Sequence, residues 1–399
     1  MPATPPYLIP ILGLLSAFGP MSIDMYLSAL PAIAREFGVG TAAAQATLSI
    51  YFIGLALGQG IYGPLADRFG RKPPLYVGLV IYIAASVGVA WTGAIGDMIA
   101  WRFLQAIGGC AGMVITRAIV RDHFDLQGSA RVLSLLMLIM GVAPVLAPVA
   151  GSWLLAATGW RSIFWVLAIY GVICLLSVAA GLPESLSRHA VRPRMRDTFK
   201  VYLSLVRDRR FSGYALAGAV AQAGMFAYIS GSSFVFIDVY GLSPTAYAWI
   251  FGANSFGLVS AYQINRYLLH RRSPARLLAL GNAVNGSAGV LLLLSGGTGI
   301  GGMIGFAILL FLTISSLGFT FANAAASAMA AFPDRAGSAS ALLGTFQFGM
   351  AAIAGTAVGR FHDGTPVPMA VVICLCGLGG LAAQRFMVPR RRGGLRRAD

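Results

Sequence analysis

Charge is scarce in this chain, and acidic charge is scarcest. Only 11% of the 399 residues are charged and 13 are Asp or Glu, whereas soluble chains usually carry about 25% charged residues. A soluble chain of this length would also normally divide into two or more domains. Repeated apolar runs instead reach the length of about 18 residues or more that crosses the hydrocarbon of a bilayer. The sequence therefore predicts an integral membrane protein.

Cysteine and the familiar catalytic motifs are also scarce or missing. Four cysteines all fall in apolar runs, which excludes a disulfide framework or a zinc site: Cys110, Cys174, Cys374 and Cys376. The sequence contains no H-E-x-x-H, G-x-S-x-G or Walker motif, which argues against intramembrane hydrolysis and ATP-driven transport. The G-x-G-x-x-G match at 297–302 opens no βαβ unit, and RDHFD at 121–125 lies in a short basic loop. We expect no enzyme activity, no metal and no organic cofactor.

Twelve apolar runs predict an all-α polytopic membrane protein built as two six-helix halves. The longest polar stretch divides these runs six and six, as a linker between halves would. We expect an N-terminal half over 1–186, a cytoplasmic linker over 187–210, a C-terminal half over 211–388 and a basic cytoplasmic tail over 389–399. The predicted spans are approximately 7–30, 44–66, 75–93, 97–120, 131–156, 161–181, 211–236, 246–270, 274–296, 299–324, 336–358 and 367–387.

Basic residues are distributed unevenly between the loops. Of the 29 Lys and Arg residues, only Arg35, Arg161 and Arg360 fall in loops on the odd-numbered side of the spans. Because cytoplasmic loops concentrate positive charge, we expect both termini and the linker in the cytoplasm. The net charge of +16 is then a topology signal, helped by attraction to anionic inner-leaflet lipid, and we expect no nucleic-acid partner. The first seven residues carry no Lys or Arg, so the first span is expected to be retained rather than cleaved as a signal peptide.

Asp24 is the acidic residue that we place inside a span. It lies in the otherwise uncharged stretch 7–34, where a carboxyl group costs about 3 kcal/mol or more. Pro20, one turn earlier, leaves the Ser16 carbonyl without its helical donor and opens the backbone beside the acid. A lone titratable group in an apolar bundle is suited to binding and releasing a proton, and we hypothesise that Asp24 is a proton site. The alternative is a buried acid neutralised by Arg102.

The turn GPLADRFGRK at 63–72 resembles the cytoplasmic signature of the major facilitator superfamily, G-x-L-A-D-R-x-G-R-K/R, which joins helices two and three. Gly63 would allow close helix contact, and Gly70 would supply the permissive backbone of a tight turn. The basic residues of the motif would hold the turn at the headgroups: Arg68, Arg71 and Lys72. We interpret the motif as a cytoplasmic gate, and the alternative is a basic loop without that role.

Asp67 is the acidic member of this motif. Its carboxylate can accept hydrogen bonds and face the positive N-terminus of a neighbouring helix. The resemblance identifies that helix as span eleven, which begins near Gly337 and Ser338.

Span four resembles the helix-four motif of the same family, R-x-x-Q-G-x-G, with Arg102 and Gln105 in place and Ala106 where Gly is common. An Arg inside a membrane must find a carboxylate, a carbonyl or a water-filled cavity. We hypothesise that Arg102 takes part in proton coupling at or near the Asp24 cavity. The alternative is a structural clamp on backbone carbonyls.

Span five contains GVAPVLAPVAGSW at 141–153, which resembles the helix-five motif of drug–proton antiporters, with Ser152 in place of the final Gly. Prolines one turn apart each remove a helix hydrogen bond and bend the axis, and the glycines permit close packing. The motif residues that we assign are Gly141, Pro144, Pro148 and Gly151. The alternative is a kinked helix with no mechanistic role.

DMYLSALP at 24–31 resembles the helix-one signature of the Bcr/CflA-type multidrug resistance transporters, D-M-Y-L-P-A-L-P, with Ser28 in place of a Pro. GWRSIFWVLA at 159–168, PESL at 183–186 and FAYISGSSFVFIDVYGLSP at 226–244 also match. In this family helices one and seven line the cavity, which implies that these aromatic and methionine side chains lie near the substrate: Met21, Met25, Tyr26, Phe226, Tyr228 and Phe234.

The resemblance implies a transporter of the bacterial inner membrane that exports small, largely hydrophobic drugs by alternating access. The proton gradient would drive it without a cofactor, and its partners would be a small-molecule substrate, protons and membrane lipid. We expect a monomer. The alternatives are export of a native metabolite such as an amino acid or nucleoside, passive or proton-symport uptake, and a membrane receptor or structural subunit that binds without transporting. A binding-only scaffold needs no buried acid, which argues against the last.

Overall fold

The computed structural model describes residues 7–186, 195–332 and 335–388, and the regular structure in these ranges is helical. The predicted tail 389–399 and the first part of the predicted linker, 187–194, lie outside the described residues. The α-helices are α1 Leu8–Ser16, α2 Phe18–Asp24, α3 Leu30–Glu36, α4 Thr41–Phe69, α5 Lys72–Trp91, α6 Ile95–His123, α7 Leu126–Thr158, α8 Arg161–Gly181, α9 Met195–Arg207, α10 Arg209–Ser233, α11 Pro244–Leu268, α12 Pro274–Thr298, α13 Gly302–Ser316, α14 Phe321–Met329, α15 Ala336–Arg360 and α16 Val367–Met387.

The first span is a broken helix. It runs as α1, α2, a 3₁₀ turn at Leu27–Ala29 and then α3. Because Pro20 has no N–H to bond the Ser16 carbonyl, the α-helical ladder cannot continue there, and the first break falls at Ala17. The second break follows directly after Asp24, the last residue of α2. The backbone is therefore interrupted on both sides of the acid.

Glycine allows the helices within each half to approach closely. A Cβ on Gly108 of α6 would lie 2.5 Å from the Tyr82 backbone nitrogen of α5, and one on Gly380 of α16 would lie 2.7 Å from the Ala221 Cβ of α10. Small residues at helix crossings are the usual means of tight packing in membranes. The α5–α6 and α10–α16 interfaces of the two halves therefore depend on glycine.

The two halves meet along two helix pairs, α4 with α15 and α7 with α11. In the first pair the Thr345 hydroxyl donates to the Ala56 carbonyl at 3.1 Å. The 3₁₀ turn Leu27–Ala29 also contacts α10 and α11. The chain that follows Asp24 therefore lies at the boundary between the halves.

Among the described residues, 11 helical segments are long and apolar enough to cross a membrane. Of the twelve predicted spans, α11 lacks this composition, although it has 25 residues. It carries Asn254 and Asn265, both buried, and packs against α7 and α13. A helix whose polar side chains face protein can be less apolar than one that faces lipid.

Helix α9 occupies much of the stretch predicted only as a polar linker. It begins at Met195 and ends at Arg207, and α10 follows at Arg209, two residues before the predicted boundary at 211. The apolar side chains of α9 alternate with charged ones along the sequence, so that their average composition resembles a loop. Helical spacing brings the apolar side chains together.

The π-helical turn Phe234–Val239 extends α10 toward the following loop. Its Asp238 carboxylate pairs with Arg35 at the end of α3, with 3.2 Å between Oδ1 and Nη1. This contact joins the two halves at the end of the first span.

Candidate functional site

Asp24 ends α2 with its side chain buried, at 4% exposure. Among the residues that the structure describes, no cation pairs with it and no side-chain hydrogen bond reaches its carboxyl group. An ionised carboxylate without a partner is so costly in an apolar interior that the neutral acid is the favoured form. Asp24 can therefore hold a proton in this arrangement. Release of the proton requires water or another acceptor for it, and water or hydrogen-bond donors to stabilise the carboxylate.

Arg102 is fully buried in α6, and its partners are neutral oxygens. Its Nη1 donates to the Ser22 backbone carbonyl at 3.1 Å and to Gln105 Oε1 at 2.5 Å. The expected counter-charge for Asp24 is thus not placed on that acid. The alternative role given for Arg102 is a structural clamp on backbone carbonyls, and its contact with the Ser22 carbonyl is a contact of that kind.

Aromatic rings complete the surroundings of Arg102. Its guanidinium carbon lies 4.3 Å from the ring centroid of Tyr26 and 4.2 Å from that of Tyr51. A desolvated cation–π contact contributes about 2 kcal/mol. The rings and the two oxygens explain how an arginine stays buried here without a carboxylate. Its Nε and Nη2 atoms have no hydrogen-bond partner among the described residues.

A chain of hydrogen bonds leads from Gln105 back to α2. Gln105 Nε2 donates to Ser86 Oγ at 2.8 Å, and Ser86 Oγ donates to the Tyr82 carbonyl at 2.7 Å. The Tyr82 and Ser22 hydroxyls lie 2.6 Å apart. The helix-four motif residue Gln105 is therefore connected to the segment that carries Asp24. Tyr82 and Ser86 were not predicted, and the available signal was their polarity inside an apolar run.

The second half contributes a buried polar cluster from α10 and α11. Asn254 Nδ2 donates to the Tyr228 hydroxyl at 2.9 Å, and the Ser232 and Tyr247 hydroxyls lie 2.9 Å apart. All four side chains are buried. Of these residues only Tyr228 was predicted, whereas Asn254 and Tyr247 lie in the least apolar span.

The segment that follows Asp24 reaches this cluster at the boundary between the halves. Asp24 ends α2, and Tyr228 and Tyr247 belong to α10 and α11. The 3₁₀ turn Leu27–Ala29 packs on the same two helices. The structure therefore brings the predicted Asp24 and Tyr228 toward one site.

The other predicted cavity residues are distributed more widely. Phe226 lies at the boundary between the halves, with its ring centroid 4.8 Å from that of Phe52 and 5.7 Å from that of Phe348. Met21 is half-buried on α2, and Met25 is buried in the break that follows Asp24.

Tyr26 and Phe234 lie away from this boundary cluster. The Tyr26 hydroxyl is 3.2 Å from Thr47 Oγ1, and its ring packs on Arg102 inside the first half. Phe234 begins the π-helical turn after α10, and its ring centroid is 6.0 Å from that of His362, beyond the end of α15. Neither placement supports direct substrate contact. The Tyr26 ring packs on the Arg102 guanidinium, and Phe234 lies near the loop between α10 and α11.

Gly151 of α7 packs directly on the broken segment after Asp24. A Cβ built at Gly151 would overlap the backbone carbonyl of Met25. Backbone cannot move aside as a flexible side chain can, so this position tolerates only glycine. The close packing predicted at Gly151 is present, and it fixes α7 against the Asp24 break.

The rest of the helix-five motif lies along the contact between α7 and α11. A Cβ at Gly141 would be 3.0 Å from Val259 Cγ2, and the Ser255 hydroxyl donates to the Pro144 carbonyl at 3.5 Å. Helix α7 continues through Pro144 and Pro148 without interruption. The motif therefore contributes to the junction of the halves.

The turn at 63–72 is centred on Arg71, which is buried at 3% exposure and paired with carboxylates rather than held at the headgroups as predicted. Its Nη1 donates to Asp67 Oδ1 at 2.6 Å, and its Nε donates to Asp122 Oδ2 at 2.8 Å. Ser185 also donates to Asp122 Oδ2 at 2.8 Å. This network ties the end of α4 to the ends of α6 and α8. Asp122 was not predicted, because the sequence shows it only in a short basic loop.

Gly70 and Glu184 form the second part of this turn. Gly70 has φ +97°, and a Cβ there would lie 2.8 Å from Glu184 Oε2, so both conformation and space require glycine. Glu184 accepts from the backbone nitrogens of Arg71 at 2.8 Å and Lys72 at 3.0 Å. Partial burial acts to raise the pKa of Glu184, but these donors and that of Leu186 outweigh it and hold the pKa below its usual value. The predicted tight turn is present.

Asp67 and Gly63 face a cavity of about 200 Å³. The cavity is shared with Gly337 in the first turn of α15, so Asp67 and the start of predicted span eleven border the same space. No atom of the described residues lies within 4 Å of a Cβ built at Gly63. The close helix contact predicted at Gly63 is therefore wrong, because this glycine borders open space. Arg68 is exposed, with its guanidinium carbon 5.3 Å from the Phe69 ring centroid.

The four cysteines are free and buried. Within residues 7–186, 195–332 and 335–388, no three or more His, Cys, Asp or Glu side chains group as metal ligands would.

Comparison with known families and proteins gives consistent matches over most of the chain. Residues 12–356 match the Major Facilitator Superfamily. The chain is 36% identical to an uncharacterized MFS-type transporter, YdgK, of Bacillus subtilis strain 168, over 93% of both proteins. It is 28% identical to the bicyclomycin resistance protein homolog of Haemophilus influenzae, over 95% of both. It is also 30% identical to the multidrug resistance protein MdtL of Shigella dysenteriae serotype 1, over 82% of both.

Solved structures match the fold at low sequence identity. The xylose transporter XylE from E. coli, in a partially occluded inward-open conformation, superposes with a TM-score of 0.72 at 14% identity, covering 97% of this chain and 98% of that one. A bacterial homolog of the human lysosomal transporter Spinster gives a TM-score of 0.70 at 15% identity, covering 97% of this chain and 96% of that one. The predicted all-α polytopic fold is confirmed.

Proposed function

The chain belongs to the Major Facilitator Superfamily, and we propose that it exports small, largely hydrophobic drugs across a bacterial inner membrane in exchange for protons. Membership in this family makes it a multi-pass membrane transporter rather than an enzyme. The bicyclomycin resistance homolog and the MdtL relative support drugs as the substrate class. The observation that supports the proton coupling is the buried carboxyl group of Asp24 at the break in the first span, which pairs with no cation in the described part of the chain.

In the proposed cycle the boundary between the halves opens to one side at a time. Asp24 takes a proton from the periplasmic side, and its neutral form is favoured while the halves are closed around it. Protonation favours departure of the substrate and return of the empty site to the cytoplasmic side. Water that enters there allows Asp24 to release the proton, because hydration stabilises the carboxylate.

The polar cluster of the second half gives Asp24 a means to act on the substrate site. A charged Asp24 can accept a hydrogen bond from Tyr228 or Tyr247 if the halves shift, whereas a neutral Asp24 does not need one. Phe226, Phe52 and Phe348 provide the adjoining apolar surface. A site with one titratable group and several aromatic rings suits apolar molecules of varied shape.

The proton gradient supplies enough energy for this exchange without a cofactor. A tenfold proton gradient contributes about 1.4 kcal/mol, and each charge that crosses the membrane gains about 2.3 kcal/mol per 100 mV. We also propose that both termini face the cytoplasm, as the loop charges predict, and that one chain forms the working unit.

The coupling assignment is tested with Asp24→Asn in inverted vesicles energised by respiration. Addition of bicyclomycin should release protons from vesicles that contain the wild type, and Asp24→Asn should reduce this signal to that of vesicles without the transporter. Asp363→Asn is the matched control, because its carboxyl group lies exposed in the loop before α16. Substrate-induced proton release that persists unchanged in Asp24→Asn would show that this residue is not the proton site.

The substrate class is tested separately by growth. A pump-deficient host that overproduces the chain should tolerate higher concentrations of bicyclomycin and of other apolar antibiotics than a host with the empty vector. Resistance confined to amino acid or nucleoside analogues would favour a native metabolite as substrate. Equal sensitivity to every compound would contradict drug export.

A further inference from the structure

Helix α9 connects the two halves at the ends of α4 and α15. The Tyr202 hydroxyl donates to the Gly60 carbonyl of α4 at 3.1 Å, and burial raises the pKa of Tyr202 to about 12. Arg335 Nη1, at the start of α15, donates to Ser204 Oγ at 3.0 Å. Leu205 is buried in a core with Leu343 of α15. The helix therefore contacts both halves beside the turn that contains Asp67.

The side chains of α9 divide into three faces, because successive residues turn by about 100°. The docked face contacts the transporter through Tyr202 and Leu205. An apolar face is left exposed, and it consists of Phe199, Leu203 and Val206, which are 53%, 50% and 42% exposed. The third face is polar and exposed, and it consists of Lys200, Ser204 and Arg207.

This arrangement has the character of a helix that lies at a membrane surface. Residues spaced by four and three positions form one stripe along a helix, so Phe199, Leu203 and Val206 form a continuous apolar surface. A basic polar face beside such a stripe is typical of helices in the interface plane. Lys200 and Arg207 lie on that polar face, and their long stems allow the charges to reach lipid phosphates.

The exposed charges on and after α9 are mostly positive, which favours binding to an anionic membrane surface. Arg209 and Arg210 follow directly and are exposed. Two acids lie in this stretch. Asp197 is exposed on the polar side of α9, and Asp208 accepts hydrogen bonds at its Oδ1 from the backbone nitrogens of Arg210 at 2.7 Å and Phe211 at 3.1 Å. Lys200, Arg207, Arg209 and Arg210 outnumber them. A basic cluster beside the end of a membrane helix attracts acidic phospholipid.

We propose that α9 binds anionic phospholipid of the leaflet on its side of the membrane. The apolar face lies among the acyl chains, and Lys200 and Arg207 contact the headgroup phosphates. Lipid bound in this way holds α9 against α4 and α15, so that anionic lipid stabilises the cytoplasmic junction of the halves. The proposal goes beyond drug export and requires no knowledge of the substrate.

The position of the apolar face is tested with an environment-sensitive fluorophore attached to Leu203→Cys in nanodiscs. Because the four native cysteines are buried, labelling is directed to the new thiol. The matched control is Asp197→Cys, an exposed position on the polar side of the same helix. We expect brominated lipid to quench the label at position 203 and aqueous iodide to quench the label at position 197. Equal access of iodide to both labels would show that α9 does not meet the bilayer.

Selectivity for anionic lipid is tested by comparing brominated phosphatidylglycerol with brominated phosphatidylcholine at the same mole fraction. Quenching at position 203 should be stronger with phosphatidylglycerol. The double variant Lys200→Gln/Arg207→Gln should weaken the preference for phosphatidylglycerol over phosphatidylcholine, by roughly fivefold for each cation removed. The control Arg272→Gln/Arg276→Gln removes equal charge from exposed positions near the start of α12. Phosphatidylglycerol should also raise the Tm of the wild type and of the control, but not that of the α9 variant. Equal quenching by both lipids, or equal loss of preference in both variants, would overturn the proposal.

Discussion

Arg102 donates to the backbone carbonyl of Ser22 at 3.1 Å, and no cation of the described residues pairs with the carboxyl group of Asp24, two residues further along. The arginine is held by neutral oxygens and by the rings of Tyr26 and Tyr51. It therefore fixes the backbone before the acid and does not neutralise the acid itself. This division allows Asp24 to change its protonation state without breaking an ion pair.

Arg102→Lys tests this assignment. Lysine retains the charge but lacks the planar fork that donates and stacks at the same time, so we expect a loss of about 2 kcal/mol in the free energy of unfolding. The measurement is the Tm of the purified protein by scanning fluorimetry. Arg121→Lys, at an exposed position of the same helix, should leave the Tm unchanged. Proton release should persist in Arg102→Lys. An unchanged Tm combined with lost proton release would instead indicate a direct role in coupling.

Glu184 should make the stability of the turn at 63–72 depend on pH in the acid range. Its pKa lies below the usual value of 4.5 in the folded protein. Its carboxylate therefore adds stability that is fully present above that value and is lost as the pH falls through the folded pKa. We expect the wild type to melt above Glu184→Gln by a constant margin between about pH 7 and about pH 5, and the margin to shrink at lower pH.

The control for this measurement is Ser177→Ala, which removes a hydroxyl that donates to the Ile173 backbone carbonyl at 2.7 Å rather than to a carboxylate. Its difference from the wild type should not depend on pH in the way that the Glu184→Gln difference does. A margin for Glu184→Gln that grows as the pH falls would contradict the assigned direction.

The ion pair between Arg35 and Asp238 joins the halves but should add little stability. The two side chains are 66% and 40% exposed, and exposed pairs contribute about 0–1 kcal/mol. We expect Arg35→Gln to leave the Tm within about 2 °C of the wild type. Asp238→Asn should give the same result, and the double variant should match either single variant. A large fall in Tm for only one of the two single variants would contradict this expectation. It would show that the charged residue remaining in that variant, Asp238 or Arg35, is effectively buried.

The fold and the position of the acid could be predicted because both depend on local patterns. Apolar runs predict membrane helices, and Pro20 predicts a break beside Asp24. The positive φ of Gly70 follows from its place in a known turn signature. The amphipathic α9 was missed because its apolar residues are separated along the sequence and are united only by helical geometry.

The partners of the functional side chains could not be predicted in the same way. Arg102 contacts the Ser22 carbonyl and two aromatic rings because of how α6 packs on α2, and the spacing of residues in the sequence does not predict these contacts. Asp122 and Glu184 converge on Arg71 from the ends of two other helices. Gly63 was assigned a contact from its motif, although the neighbouring helix leaves space there.

Gly151 and Gly63 should respond in opposite ways to the same substitution. A Cβ at Gly151 would overlap the Met25 carbonyl, whereas one at Gly63 would meet no atom within 4 Å in the described part of the chain. Overpacking against backbone costs about 1–3 kcal/mol, and an exposed helical Gly→Ala change can add up to about 1 kcal/mol of stability. We therefore expect Gly151→Ala to lower the Tm and the yield of folded protein, and Gly63→Ala to keep or raise both.

Transport by Gly63→Ala provides a further readout. If its Tm is retained but transport is lost, Gly63 is needed where α4 and α15 come closer in another state of the cycle. A Gly151→Ala variant that melts like the wild type would show that α7 does not hold the break after Asp24.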